Sequence, residues 1–215
     1  MLNQYYWSDL DSLIKCYYIG FLIGDGCVYN NKLSIGLSAK DIDWLQTFKN
    51  ETTCTANIRL YSNNGYDCVS LEQSSRQWCD DLYTYNVIPR KSCIVELPMD
   101  EVNTLEEISA LILGIFDSDG TIGLYPRKNS IGKFHYQFSI AGSKALCLQI
   151  REQLTNNLDI FNGTLYNKKN NLYQISWAGK QDIIKICEFL YQNTELSDIW
   201  LKRKYNKFKE IRNDR

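Results

Sequence analysis

The sequence predicts an α+β fold made by writing one unit twice within 215 residues: helix, hairpin, helix, hairpin, helix (αββαββα). Three observations predict it. "GFLIGDG" (20–26) and "GIFDSDG" (114–120) are apolar stretches that end in Asp-Gly and place small residues four apart. Behind each comes a segment of apolar–polar alternation, the period of a half-buried strand. Each half then closes on a helical stretch ending in Leu-Tyr, with Arg-Lys further on: Leu82-Tyr83 and Arg90-Lys91, Leu190-Tyr191 and Arg203-Lys204. The joint falls near 97–103, giving halves 1–100 and 101–215.

Each half opens with a helix start. Ser8-Asp9-Leu10-Asp11 and Thr104-Leu105-Glu106-Glu107 match the capping box, in which a hydroxyl and a carboxylate satisfy the free amides of a first turn. The apolar run ends at Asp-Gly, and a glycine there suits a left-handed cap. In "KLSIGLSAK" (32–40), Leu33, Ile35 and Leu37 oppose Lys32, Ser34 and Ser38. In "KFHYQFSIA" (133–141), Phe134, Tyr136, Phe138 and Ile140 oppose Lys133, His135, Gln137 and Ser139. Asn30-Asn31 and the loop at 129–132 read as the hairpin turns, and helices follow near 41–50 and 143–156. A second hairpin comes next in each half. "NIRLY" and "CVSLE" are joined through Asn64-Gly65, "GTLYN" and "LYQISW" through 168–171.

Composition narrows the function. The longest apolar run, 108–116, is far below the ~20 residues of a membrane span, and no export signal opens the chain. The eight cysteines contain no CxxC and stand beside a single histidine, His135, so the ligand spacing of a zinc site is absent. They read as reduced, mostly buried thiols, which implies a reducing intracellular compartment, cytoplasm-like or organellar. The net charge of −1 hides an asymmetry: residues 1–119 sum to −9 and residues 120–215 to +8. From 120 to 151 there is no acid, while Arg127, Lys128, Lys133, Lys144 and Arg151 are basic; from 160 to 181 there is again no acid, and Lys168, Lys169 and Lys180 are basic. Local positive potential of this kind suits a polyanion, and equally a solvated basic surface.

The two Asp-Gly helices carry the chemistry. Gly20 and Gly24 share one helical face, as do Gly114 and Ser118, and small residues four apart let two backbones approach more closely than the usual 8–10 Å. Packed in parallel, such helices set Asp25 beside Asp119. Two carboxylates at two negative helix ends repel unless a cation lies between them. Mg2+, a hard ion with oxygen ligands, suits the place.

With Tyr18-Ile19-Gly20-Phe21-Leu22-Ile23-Gly24-Asp25-Gly26 and Ile112-Leu113-Gly114-Ile115-Phe116-Asp117-Ser118-Asp119-Gly120, the chain resembles the two-motif LAGLIDADG homing endonucleases. "VIPRKS" (87–92), "SIAGSKAL" (139–146) and "WLKRKYNKF" (200–208) extend the resemblance over nearly the whole sequence. It implies a monomeric pseudo-dimer with pseudo-two-fold symmetry, two saddle-shaped antiparallel sheets with helices on one face, and a double-stranded DNA target cut once in each strand across the minor groove. It implies Mg2+ or Mn2+ held by Asp25, Asp119 and the carbonyls of Gly24 and Ser118. Asp117, two residues earlier, has no counterpart in the first motif and reads as structural. Lys40 and, with a one-residue slip, Lys144 match the lysine often found at the end of the second strand of each half, as catalytic groups or plain phosphate contacts. The candidate DNA readers are Lys32, Ser34, Ser38, Arg59 and Tyr61 in the first half. In the second they are Tyr125, Arg127, Lys128, Lys133, His135, Gln137, Lys168, Lys169 and Gln174. The run 202–209 either docks on phosphates or packs Trp200, Tyr205 and Phe208 against the sheet. An RNA-binding intron maturase or a non-catalytic DNA-binding regulator of the same fold are the rival readings.

Overall fold

The computed structural model describes residues 1–89, 93–126 and 134–214, and within them every side chain but that of Lys169. Among these residues the first half contains α1 (Leu13–Asp25), β1 (Gly26–Tyr29), β2 (Lys32–Ser38), α2 (Ile42–Glu51), β3 (Arg59–Asn63), β4 (Tyr66–Ser74) and α3 (Arg76–Thr84). The second contains α4 (Leu105–Asp119), β5 (Gly120–Pro126), β6 (Phe134–Gly142), α5 (Lys144–Asn157), β7 (Thr164–Lys169), β8 (Leu172–Trp177), α6 (Lys180–Leu190) and α7 (Lys202–Asn213). The chain is α+β, with antiparallel sheets ordered β1-β2-β4-β3 and β5-β6-β8-β7. The loop expected at 129–132, together with Arg90, Lys91, Ser92, Arg127, Lys128 and Lys133, lies outside the described residues.

Turn chemistry explains the hairpins. Asn30-Asn31, Asn64-Gly65 and Asn170-Asn171 all have positive φ (50° and 57°, 50° and 81°, 52° and 61°), the backbone of a two-residue turn whose twist matches the strands it joins. The Asp-Gly glycines differ from the expectation. Gly26 (φ −81°, ψ 153°) and Gly120 (φ −95°, ψ 159°) are extended, so each motif helix passes straight into a strand. Close approach is what demands glycine there: a Cβ on Gly26 would lie 2.7 Å from the Leu22 carbonyl oxygen, and one on Gly120 2.5 Å from that of Phe116.

The helix starts divide. Thr104 and Glu107 form the expected capping box of α4. The cap of α1, however, is Ser12, whose side chain accepts from the Lys15 amide. Ser8 instead turns its hydroxyl to the Tyr5 carbonyl. The acids of the Ser8 segment are satisfied from the following turn, where Lys15 pairs with Asp9 (2.5 Å) and Asp11 (2.8 Å). In β6 the expected alternation is also incomplete. Phe134 is exposed near the strand's start, and Ser139 is buried against Thr121 Oγ1 at 2.9 Å.

Both sheets turn one face to a shared core. Val28, Leu33, Ile35, Val69 and Leu71 cover that face in the first sheet; Ile122, Phe138, Ile140, Ile175 and Trp177 do so in the second. Through the middle run α1 and α4, buried on nearly all sides, with backbone pressed on backbone. A Cβ on Gly20 would stand 2.9 Å from the Leu111 carbonyl carbon and closer still to its oxygen; one on Gly114 would stand 2.6 Å from the Phe21 amide nitrogen. Gly20 meets Leu111 and Ile115 while Gly24 meets Ser118, so the helices run parallel.

Each half also reaches across to the other. Ser143, the cap of α5, hydrogen-bonds the Val95 carbonyl, and the Leu97 amide donates to Gln149 Oε1 at 2.8 Å. In the opposite direction Arg203 of α7 clasps Asp41, which stands before α2, with two bonds of 2.9 Å. The eight cysteines are unpaired, five of them buried. No helix among the described residues is long and apolar enough to cross a membrane.

Gly114→Ala is therefore expected to destabilise by ~2 kcal/mol or more, overriding alanine's helix preference, because the obstacle is main chain rather than a movable side chain. A chain of this size would melt roughly 4–8 °C lower. Gly36→Ala, whose Cβ would find only the Tyr61 hydroxyl at 3.6 Å, is the control and should melt like wild type. Thermal melts of the two variants check both.

Candidate active site

Asp25 and Asp119 are the last helical residues of α1 and α4, and the helix contact brings those ends together. A Cβ on Gly24 would lie 2.9 Å from Asp119 Oδ2 and 2.5 Å from Ser118 Cβ. Gly24, the second small residue of the first motif, is thus what lets Asp119 and Ser118 approach α1. Asp25 is half-buried and Asp119 exposed. Ser118 turns its hydroxyl back onto the carbonyls of Ile115 (3.0 Å) and Gly114 (3.3 Å).

Behind the acids lies a buried polar network. Asp117 Oδ2 accepts from the Tyr17 hydroxyl (2.9 Å) and the Leu201 amide (2.8 Å), and Tyr17 in turn accepts from Trp44 Nε1 (2.9 Å). Burial pushes the Asp117 carboxyl up from 3.8 to about 6, against the pull of Lys204, the two hydrogen bonds and Arg203. Lys204 is buried too. Its ammonium donates to the carbonyls of Phe116, Asp117 (2.8 Å) and Gly120 (2.6 Å). Burial pushes that group down to about 8, opposed by Asp117, helped by Arg203, and opposed further by Asp25 and Asp119. At pH 7 both groups are then mainly charged, Asp117 negative and Lys204 positive.

The two lysines matched to strand ends do not occupy equivalent places. Gly26 pairs with Ile35 and Gly120 with Ile140, so Ser38 corresponds to Ser143, Lys40 to Ala145 and Lys144 to Ala39. Lys40 lies in a single 3-10 turn (Ala39–Asp41) rather than in β2, which ends the strand parity it was expected to share. It borders a cavity of about 370 Å³ with Trp44, Trp200 and Arg203. Lys144 is the exposed first residue of α5.

Strand register sorts the remaining candidates. On the first sheet Ser34 faces Glu72, Ser38 and Tyr61 both face Cys68, and Arg59 faces Ser70, all on the side away from the core. Lys32 is on that side as well, but is ion-paired with Glu72 at 3.1 Å. On the second sheet Tyr125, His135, Gln137, Lys168 and Gln174 line one groove of about 700 Å³ with Thr164, Tyr166 and Ser176. Its lining combines the amides of Gln137 and Gln174 and the hydroxyls of Thr164, Ser176, Tyr125 and Tyr166 with Lys168. Nδ1 of His135 is enclosed without a hydrogen-bond partner among the described residues. Arg127, Lys128 and Lys133, and the side chain of Lys169, fall outside the described residues.

No family sequence model matches the chain, nor does any curated protein. Solved structures do. The K262A mutant of I-SmaMI is 15% identical at a TM-score of 0.61, over 91% of this chain and 88% of that one. The LAGLIDADG meganuclease I-AabMI bound to uncleaved DNA is 13% identical at 0.53, over 91% and 96%. Full-length WhiA from Thermatoga maritima is 15% identical at 0.58; the match covers 99% of this chain and 66% of that protein. The chain has the LAGLIDADG fold.

In that fold the parallel motif helices are α1 and α4, and the donor set at their ends suits a hard divalent cation. It comprises two carboxylates one helix contact apart and main-chain carbonyls of two last turns, where the helix dipoles concentrate negative charge. No group of three or more His, Cys, Asp or Glu gathers among the described residues. Two neighbours of the site escaped the sequence reading. Lys204 and Arg203 lie in the run expected to meet phosphates or pack on the sheet; Trp200 and Phe208 do pack, Tyr205 is half-buried, and Lys204 turns inward. Two signals were available: Asp117, an apolar-helix acid with no counterpart in the first motif, and the helical spacing that sets Lys204 in line with Leu201, Phe208 and Ile211.

Asp117 gives a pH test. Between about pH 4 and 6 the folded chain holds a proton on Asp117 that the unfolded chain has released, so its contribution to stability is lost as pH rises through that window. Asp117→Asn keeps an oxygen acceptor and does not titrate. Denaturant unfolding in chelator should show the difference between variant and wild type moving in the variant's favour from pH 4 to 6. A flat or opposite trend would contradict it.

Proposed function

We propose that the protein is a metal-dependent endonuclease that binds a duplex DNA site across both sheets and cuts one phosphodiester in each strand, Asp25 and Asp119 being the working acids. What supports this reading is that Asp25 and Asp119 end two adjoining parallel helices, with Asp119 Oδ2 close against Gly24, and that the two sheets carry polar and basic side chains on their outer faces. Asp25 and Asp119, with the carbonyls of Gly24 and Ser118, would hold the ion. Bound there, Mg2+ or Mn2+ supplies an activated water and neutralises charge on the leaving oxygen.

The protein's own share is placement. In the second sheet Gln137, Gln174, Tyr125 and His135 offer paired donors and acceptors to base edges, while Lys168 suits a phosphate. In the first sheet Arg59, Tyr61, Ser34 and Ser38 face the same way, but Lys32 is already engaged by Glu72. Electrostatic attraction for the duplex therefore rests mainly on residues 120–215, which carry the +8 excess. Lys40 and Lys144 are proposed as phosphate contacts near the site rather than a symmetric catalytic pair, since the register sets them one position out of step. Both halves lie in one chain, so the enzyme would act as a monomer.

The likeness to WhiA across 99% of the chain supports a second reading on the same fold, DNA binding without cleavage. One experiment separates the two. Incubated with a plasmid library of candidate sites and Mg2+, wild type should cut both strands. Asp25→Asn or Asp119→Asn should lose double-strand cleavage by at least ~100-fold while binding the recovered site within a few-fold of wild type. Either variant cutting both strands at the wild-type rate would sink the assignment. A wild type that selects a site and cuts it with neither Mg2+ nor Mn2+ establishes the second reading.

A further inference from the structure

We propose that Lys204 is a positioning residue for the acid pair: a built-in cation that clamps the chain on both sides of Asp119 and offsets the charge gathered at the two helix ends. The proposal rests on the reading of Asp25 and Asp119 as the working acids. Lys204 comes from α7, yet its three ammonium protons find three acceptors around the end of α4. The carbonyls of Phe116 and Asp117 stand before Asp119 in its last helical turn, and that of Gly120 stands after it at the first residue of β5. One side chain thus fixes the main chain on either side of the acid.

The chemistry of the place calls for a cation rather than a mere donor. The last turn of a helix concentrates partial negative charge. Here two such turns adjoin, and three carboxylates lie within electrostatic reach of the one ammonium: Asp117, Asp25 and Asp119. Lys204 is 5% exposed, with Nζ 4.8 Å from the centre of the Phe116 ring, so its charge is set within protein, while Asp25 is half-buried and Asp119 meets solvent. A buried charge of this kind persists only with compensating partners, and those partners are the acids and helix ends it would hold in place. Arg203, next along α7, is occupied by Asp41 and locks the helix that delivers Lys204 to the first half.

The test is a coupling measurement that needs no metal. Denaturant unfolding midpoints are taken in EDTA for four proteins: wild type, Lys204→Gln, Asp25→Asn with Asp119→Asn, and all three together. Glutamine keeps amide donors for the carbonyls and drops the charge. Lys204→Gln should lower the midpoint in the wild-type background, and by less than half as much where both acids are already neutral. Equal losses in the two backgrounds would overturn the proposal and leave Lys204 as a hydrogen-bonding strut. If Lys204→Gln does not fold, a folded triple variant supports the proposal and an unfolded one overturns it. Melting with added Mn2+ keeps the underlying reading separate. A response to Mn2+ that survives neutralisation of both acids removes their metal role, whatever coupling EDTA reveals.

Discussion

The arrangement of the chain depends on a contact in which two helices touch through their main chains. Ordinary helix packing keeps axes 8–10 Å apart with side chains interlocked between them. Here Gly20 and Gly114 leave no side chain at the crossing, and Gly24 and Ser118 continue the gap to the helix ends. Because the helices run parallel, their C-termini adjoin, and each ends in an acid. The extended glycines that follow send a strand away from each end at once, so each sheet is hung directly from the helix that carries its acid. An error at the crossing would be transmitted to the acids and to both sheets, and displacements of about an ångström can cost ~100-fold in rate.

A close pair of negative helix ends is electrostatically unfavourable, and the polar network behind them answers that. Asp117 ties α4 to Tyr17 of α1 and to the Leu201 amide ahead of α7; Lys204 returns from α7 to the end of α4; Arg203 ties α7 to Asp41. These contacts link the last helix to both halves, with charge where the core would otherwise be apolar. Breaking one member leaves another buried and unpaired, which typically costs ~3–5 kcal/mol. The trailing segment of the first half makes the reciprocal crossing, through Val95 and Leu97 onto Ser143 and Gln149, without buried charge.

Much of this was legible in the sequence, because local rules and the fold agree. Asparagine and glycine pairs marked the turns, Leu33, Ile35 and Leu37 marked a strand, Thr104 with Glu107 marked a helix start, and the repeated Asp-Gly marked the duplication. What stayed hidden was set by tertiary partners. Ser8 has the residues of a cap, but Lys15 draws its acids into ion pairs. Lys204 shares the helical stripe of Leu201, Phe208 and Ile211, which marks its position as inward, but nothing local makes a lysine favourable there; the end of α4, more than eighty residues away in sequence, does. Ser139 is polar by pattern and buried by Thr121, its partner across the strand. The one-residue slip between Lys40 and Lys144, already visible in the sequence, stands when both strands are placed in register.

The central claim is that one helix contact makes Asp25 and Asp119 a single cation site. The most direct measurement is a Mn2+ titration followed by electron paramagnetic resonance for wild type, Asp25→Asn, Asp119→Asn and the double variant. A shared site predicts that each single substitution weakens the same binding event about tenfold or more, and that the double is little worse than either alone. Two independent binding events, each lost with its own carboxylate, would contradict the account.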